Sequence, residues 1–253
     1  MFGALLWSLC GVSGNPSQAA GVRAAVASNF LSPLRAVAAR FDQSGGRRIV
    51  LIAGSTGKLF AQITAGAPFD IFFAADAARP RRLVEAGLAV ATSRRTYARG
   101  RLMLIGSPYA APDIACRQRL DPGRRAEGHP AKLAIANPAT APYGVAARAV
   151  LQKLNLWGRY RGDVLRGENI AQAYNYVATG NADLGLIAWS QFVGAPKRAS
   201  CHWLVPEEFH PPIRQQVILL RRAAGNRAAR EFLDFVSQPE TVRLIATLGY
   251  STD

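Results

Sequence analysis

Acidic residues are scarce in this chain: 16 Asp and Glu stand against 31 Lys and Arg in 253 residues, a formal net charge of +15. The excess is nearly all arginine and is scattered along the chain rather than gathered in blocks. Nucleic acid is the partner such a charge first suggests, but zinc-finger spacing, an RNP-like motif and a basic–aromatic stripe are all missing. The charge is therefore read as a solubilising, anion-attracting surface, with no nucleic-acid partner. Histidine is rarer still, at three residues. His129 and His210 sit in Pro-flanked loops without metal-ligand spacing, and His202 adjoins Cys201. Neighbours on a strand point to opposite faces, so Cys201 and His202 make a poor catalytic dyad. A Gly-x-Ser-x-Gly elbow is absent, and "GSTGK" lacks the spacing of a phosphate loop. The chain reads as a binder without cofactor or metal ligands, not as an enzyme.

Apolar runs of transmembrane length are also lacking. The first twenty residues carry no charged side chain; Phe2 to Val12 is apolar, and small residues follow at Ser17, Ala19 and Ala20. Residues 1–20 thus read as a signal peptide with a weak basic region, cleaved after Ala19 or Ala20. Leu9 before Cys10 is the wrong type for a lipid-attachment signal. Removing the leader leaves Cys116 and Cys201 of the three cysteines. In an oxidising compartment they form one disulfide or stand as two buried thiols; the sequence leaves both open.

What is present alternates. A strand at 22–27 precedes a helix in which Phe30, Leu31, Leu34, Val37, Ala38 and Phe41 recur at helical spacing. A strand at 49–53 leads through Gly54-Ser55-Thr56-Gly57 into a helix stopped at Gly66. "FDIFFAAD" is a further strand, with Asp76 capping a helix that Gly87 closes. A second alternating set starts with a strand at 133–136 and a helix running to Leu154; next comes a helix from Asn169 to Gly180, then a strand ending near Ala188. Loop-like sequence over 108–130 separates the sets. Apolar runs at 101–105 and 216–220 are candidate crossings, and helices over 227–248 pack back on the first unit. Alternation of this kind predicts parallel sheets covered by helices, in two α/β domains.

Four turns enter helices with small or uncharged residues: Ser28-Asn29, Gly54-Ser55-Thr56-Gly57, Pro142-Tyr143-Gly144 and Asn169-Ile170. A helix start carries unpaired N–H groups and partial positive charge, which together hold an anion without any cationic side chain. Singly, each turn is an ordinary cap. Jointly, on two facing units, they would close around one small anion.

The stretches "VASNFLSPLRAVAARF", "AGSTGKLFAQITAGAPFDIFFAAD", "ANPATAPYGVAARAVL" and "ENIAQAYNYVATGNADLGLIAWSQ" resemble, in order and spacing, the substrate-binding proteins of molybdate ABC transporters. These belong to the type II periplasmic binding protein superfamily. The resemblance implies a two-lobed α/β fold joined by two crossing strands, with the ligand cleft between the lobes. Residues 21–104 with 213–253 would form the first lobe and 105–212 the second. It implies a periplasmic monomer that binds molybdate or tungstate and delivers it to an inner-membrane permease. Sulfate, thiosulfate or phosphate is the alternative ligand. Carried over by position, the oxyanion-binding residues are Ser28, Asn29, Ser55, Tyr143 and Ile170, the last through its backbone N–H. One branch of the family places a tyrosine where this chain has Ala188, followed by Trp189; Tyr143 fits the other branch.

Overall fold

A computed structural model describes residues 21–252 except 111–114, 122–130, 161, 163 and 196–198. The expected signal peptide at 1–20, His129 and much of the expected loop over 108–130 lie outside the described residues. The first sheet opens with β1 (Val22–Ala27), α1 (Leu31–Gln43), β2 (Ile49–Gly54), α2 (Thr56–Thr64), β3 (Ile71–Ala74), α3 (Ala78–Glu85) and β4 (Arg95–Gly100). The second unit holds β5 (Leu102–Gly106), α4 (Cys116–Arg119), β6 (Leu133–Ala136), α5 (Pro142–Lys153), α6 (Trp157–Tyr160), β7 (Leu165–Gly167), α7 (Ile170–Ala178), β8 (Leu184–Ala188), α8 (Trp189–Gly194) and β9 (His202–Leu204). The chain then returns to the first sheet as β10 (Ile213–Leu219), α9 (Arg227–Val236), α10 (Pro239–Thr247) and β11 (Tyr250–Ser251).

Strand order is β11-β4-β10-β3-β1-β2 in the first sheet and β7-β6-β8-β5-β9 in the second. The sheets are mixed rather than wholly parallel. β1 pairs in parallel with β2 and β3, and β6 with β7 and β8, whereas β10, β4, β11, β5 and β9 pair antiparallel. β4, β5, β9 and β10 adjoin the two crossings between the sheets, and β11, which follows α10, pairs with β4 at the outer edge. The chain passes between the sheets at Arg101 and over 205–212; the apolar runs at 101–105 and 216–220, expected as crossings, instead fall largely in β5, inside the second sheet, and in β10, inside the first.

Periodicity explains the layers. In β3, Ile71 and Phe73 pack with Phe30, Phe41 and Phe232 on one face, while Phe72 packs with Leu59, Ile63 and Leu83 on the other. Leu34, Val37 and Phe41 set the buried stripe of α1 at spacings of three and four. The N-cap of α3 is Ala77 rather than the expected Asp76, which sits one residue earlier and whose Oδ1 accepts the Arg79 N–H at 2.9 Å. Gly180 ends α7 in the left-handed region, at φ 77°. Cys116 and Cys201 are joined as a disulfide, which resolves the alternative the sequence left open and removes any free thiol from the Cys201–His202 pair.

Candidate functional site

α2, α5 and α7, and the short 3₁₀ turn over Ser28–Phe30 that leads into α1, all begin at one small cavity between the sheets, about 10 Å³ in volume. Ser28, Asn29, Ser55, Tyr143 and Ile170 all line it, together with Ala27, Gly54, Thr56, Ala75, Ala141, Pro142 and Asn169. None of these residues is charged.

The caps determine which donors remain. Ser55 is the N-cap of α2, and its Oγ accepts the Lys58 N–H at 3.4 Å, which leaves the hydroxyl proton for the cavity. The Gly57 N–H donates across the interface to the Thr140 carbonyl at 2.8 Å. The Thr56 N–H, at the first helical position, has no acceptor among the described residues. Asn169 caps α7 more completely, its Oδ1 accepting the N–H groups of Ala171 at 3.0 Å and Gln172 at 3.1 Å. That leaves the Ile170 N–H without an acceptor among the described residues. In α5 the first helical residue is Pro142, with no N–H to satisfy, and Tyr143 follows it, buried and lining the cavity. At the rim, Lys58 pairs with Glu168 from the other unit. Both are at least half exposed, so the pair is worth under about 1 kcal/mol.

Behind the cavity lies a buried polar network that the sequence reading missed. Asn29 Nδ2 donates to Gln215 Oε1 at 2.8 Å and to the Tyr250 hydroxyl at 3.0 Å. Tyr97 donates to Gln215 Oε1 at 2.9 Å, and Gln215 Nε2 donates to the Tyr143 hydroxyl oxygen at 3.3 Å. Tyr250 donates to the Asn29 carbonyl at 2.8 Å and lies 3.1 Å from Ser190 Oγ. The side-chain amide of Asn29 is therefore spent within the protein, and what Asn29 offers the cavity is backbone. Thr56 was also missed as a structural contributor; its Oγ1 accepts the Ala75 N–H at 3.1 Å and ties α2 to β3.

Burial raises the pKa of Tyr97, Tyr143 and Tyr250 above the ordinary value of 10.0. For Tyr97 the neighbouring Tyr250, Tyr143 and Asp76 add to the effect, and for Tyr143 the neighbouring Tyr250 does; the Gln215 hydrogen bond pulls Tyr143 the other way. All three are thus neutral donors at physiological pH. The fold favours their neutral form, so their contribution to stability is whole below about pH 10 and is lost as pH rises through the higher folded values. Alkaline titration at 295 nm should show these three ionising only together with unfolding. Smooth ionisation near pH 10 in a still-folded protein would contradict the burial argument.

With no carboxylate, no imidazole and no thiol in its lining, the cavity offers hydrogen-bond donors and helix dipoles, which suits an acceptor-only anion. Comparison with known proteins points the same way. The family described as bacterial extracellular solute-binding protein matches residues 22–251. The chain is 40% identical over 238 residues to the molybdate-binding protein ModA of Rhodobacter capsulatus, covering 94% of this chain and 91% of that one. It is 40% identical over 235 residues to the ModA of Azotobacter vinelandii, covering 92% and 91%. The solved structure of the Azotobacter vinelandii periplasmic molybdate-binding protein superposes with a TM-score of 0.81 at 33% identity, covering 92% of this chain and 99% of that one.

Proposed function

The chain belongs to the bacterial extracellular solute-binding protein family, and on that premise we propose that it binds molybdate in the periplasm and hands it to an ABC transporter permease. One observation carries the choice of ligand: a cavity with no charged lining, at which three helices and a 3₁₀ turn from both units begin. Near neutral pH molybdate is a tetrahedral dianion whose oxygens only accept hydrogen bonds. A carboxylate in the lining would repel it, whereas N–H groups and hydroxyls satisfy it. Ser28 and Ser55 would contribute hydroxyls, Asn29 and Ile170 backbone N–H groups, and Tyr143 its phenol proton. Tungstate, of nearly the same size and the same charge, would fit the same donors. The two units act as lobes closing on the anion, the first built from both ends of the chain and the second from its middle. The protein works as a monomeric receptor, not an enzyme.

Selectivity follows from fixed donor positions. Sulfate has the same shape and charge but is smaller, and each buried donor it fails to reach costs roughly 1–3 kcal/mol. Ligand bound only by the folded state stabilises it by about 4 kcal/mol at a thousandfold excess over Kd, on the order of 10 °C in Tm for a chain of this size. Thermal unfolding with molybdate or tungstate should show that rise, and sulfate at equal concentration should show little. An equal rise with sulfate would make the site a general receptor for tetrahedral anions.

A further inference from the structure

We propose that Gln215 is a positioning residue for ligand recognition: its side-chain amide turns the Tyr143 hydroxyl so that the phenol proton faces the cavity. The inference rests on the oxyanion reading above and concerns how that site chooses its ligand.

Gln215 is fully buried, and it lies where the register of β10 against β4 slips, between Gln215 and Gln216. Irregularities of this kind re-aim side chains next to sites. Its two amide atoms have unequal surroundings. Oε1 takes two donors, Asn29 Nδ2 at 2.8 Å and the Tyr97 hydroxyl at 2.9 Å. The amide is thereby fixed with Nε2 toward Tyr143, whose oxygen accepts at 3.3 Å. A phenol has one proton. With its oxygen accepting from Gln215, and with no acceptor for its own proton among the described residues, Tyr143 presents a donor to the cavity it lines. The backbone makes room for this pairing. A Cβ on Gly100 would fall 2.1 Å from the Tyr143 hydroxyl oxygen and 2.7 Å from Gln215 Nε2.

The consequence is chemical polarity. Hydrogen bonds run one way, from Gln215 to Tyr143 and on into the cavity. An oxyanion that keeps a proton would need an acceptor at that point and finds none, whereas a fully deprotonated one is matched. Gln215 thus sets proton-state selectivity without touching the ligand.

Titration calorimetry with molybdate on the mature chain tests this, using Gln215→Glu, Tyr143→Phe and the double variant. Glu keeps an oxygen for Asn29 and Tyr97 but replaces the amide donor with an acceptor, which draws the Tyr143 proton back from the cavity. Gln215→Glu should weaken binding at least tenfold more in the Tyr143 parent than in the Tyr143→Phe background, where there is no proton to turn. The added charge repels the ligand equally in both backgrounds and cancels in the comparison. Equal factors in the two backgrounds, or unchanged affinity in Gln215→Glu, would overturn the role of Gln215. If the buried carboxylate prevents folding, Gln215→Met, uncharged and of similar length, removes the amide that turns the phenol without adding a strong acceptor. Its loss of affinity should be smaller but should likewise vanish in the Tyr143→Phe background, and an equal loss in both backgrounds would overturn the role. A parent protein that gives no heat with molybdate would instead refute the proposed function.

Discussion

Gly144→Ala is expected to destabilise the protein by about 3 kcal/mol or more, the upper end for overpacking, because the added methyl has no direction in which to yield. A Cβ at this position would lie 2.3 Å from the Ala136 carbonyl oxygen and 2.7 Å from both the Asn137 carbonyl carbon and the Pro138 nitrogen. These are backbone atoms, and their segment is itself tied down. Asn137 donates its N–H to the Gly167 carbonyl at 2.8 Å, and the N–H groups of Thr140 and Ala141 return to the Asn137 carbonyl at 3.1 and 2.9 Å. Relief would require α5 to back away from β6, which would carry Tyr143 out of the cavity. Urea denaturation should show the loss as a lower midpoint at unchanged slope. Gly158→Ala is the control, since nothing lies within 4 Å of a Cβ there. A Gly144→Ala protein as stable as that control would show that the close approach of α5 to the loop after β6 is not real.

Removal of the Cys116–Cys201 disulfide should cost roughly 2–4 kcal/mol, with about 4.5 kcal/mol as the entropic ceiling for so long a loop. The bond closes 85 residues of chain and joins α4 to the segment just before β9. Cys116 packs with Leu120 and Tyr160 in the main core of the second unit, so the bond anchors a short helix that has little surface of its own to bury. Neither cysteine lines the cavity. The double Cys→Ala variant should therefore lose stability while molybdate affinity stays within about threefold, unfolding and calorimetry being measured on one preparation. A loss under 1 kcal/mol would mean that the reduced chain is already held by its packing.

The parts of this fold that were readable in the sequence are local. The strand–cap–helix entrances at Ser55 and Asn169 announced themselves because an N-cap, its helix and the closing glycine lie within about a dozen residues of one another. The five expected site residues converge on one cavity because each is the first or second residue of such an entrance. What escaped is non-local. β4 reads "RTYARG", with two arginines and a glycine in six residues, and its strand character comes from β10 and β11, which pair with it from more than a hundred residues away. The network around Gln215 joins Asn29 to partners 186 and 221 residues distant. No periodicity encodes such a meeting, and the turn containing Asn29 gives no sign that its amide is already occupied. The disulfide was undecidable for the same reason, since spacing along the chain carries no distance.

The strand order of the first sheet also has a bearing on time. β10 sits between β4 and β3, and β11 forms the outer edge beside β4, so residues made late complete a sheet begun by residues made much earlier. A chain made only as far as residue 212 lacks β10, so β4 is cut off from β3 and Phe73 has no Val217 to meet across the sheet. Tyr250, which steadies Asn29 at the cavity, follows it by 221 residues. The first sheet is therefore complete only once β10 and β11 have been made. For a chain proposed to thread a membrane before it works, this order puts off completion of the first sheet until β10 and β11 have joined it.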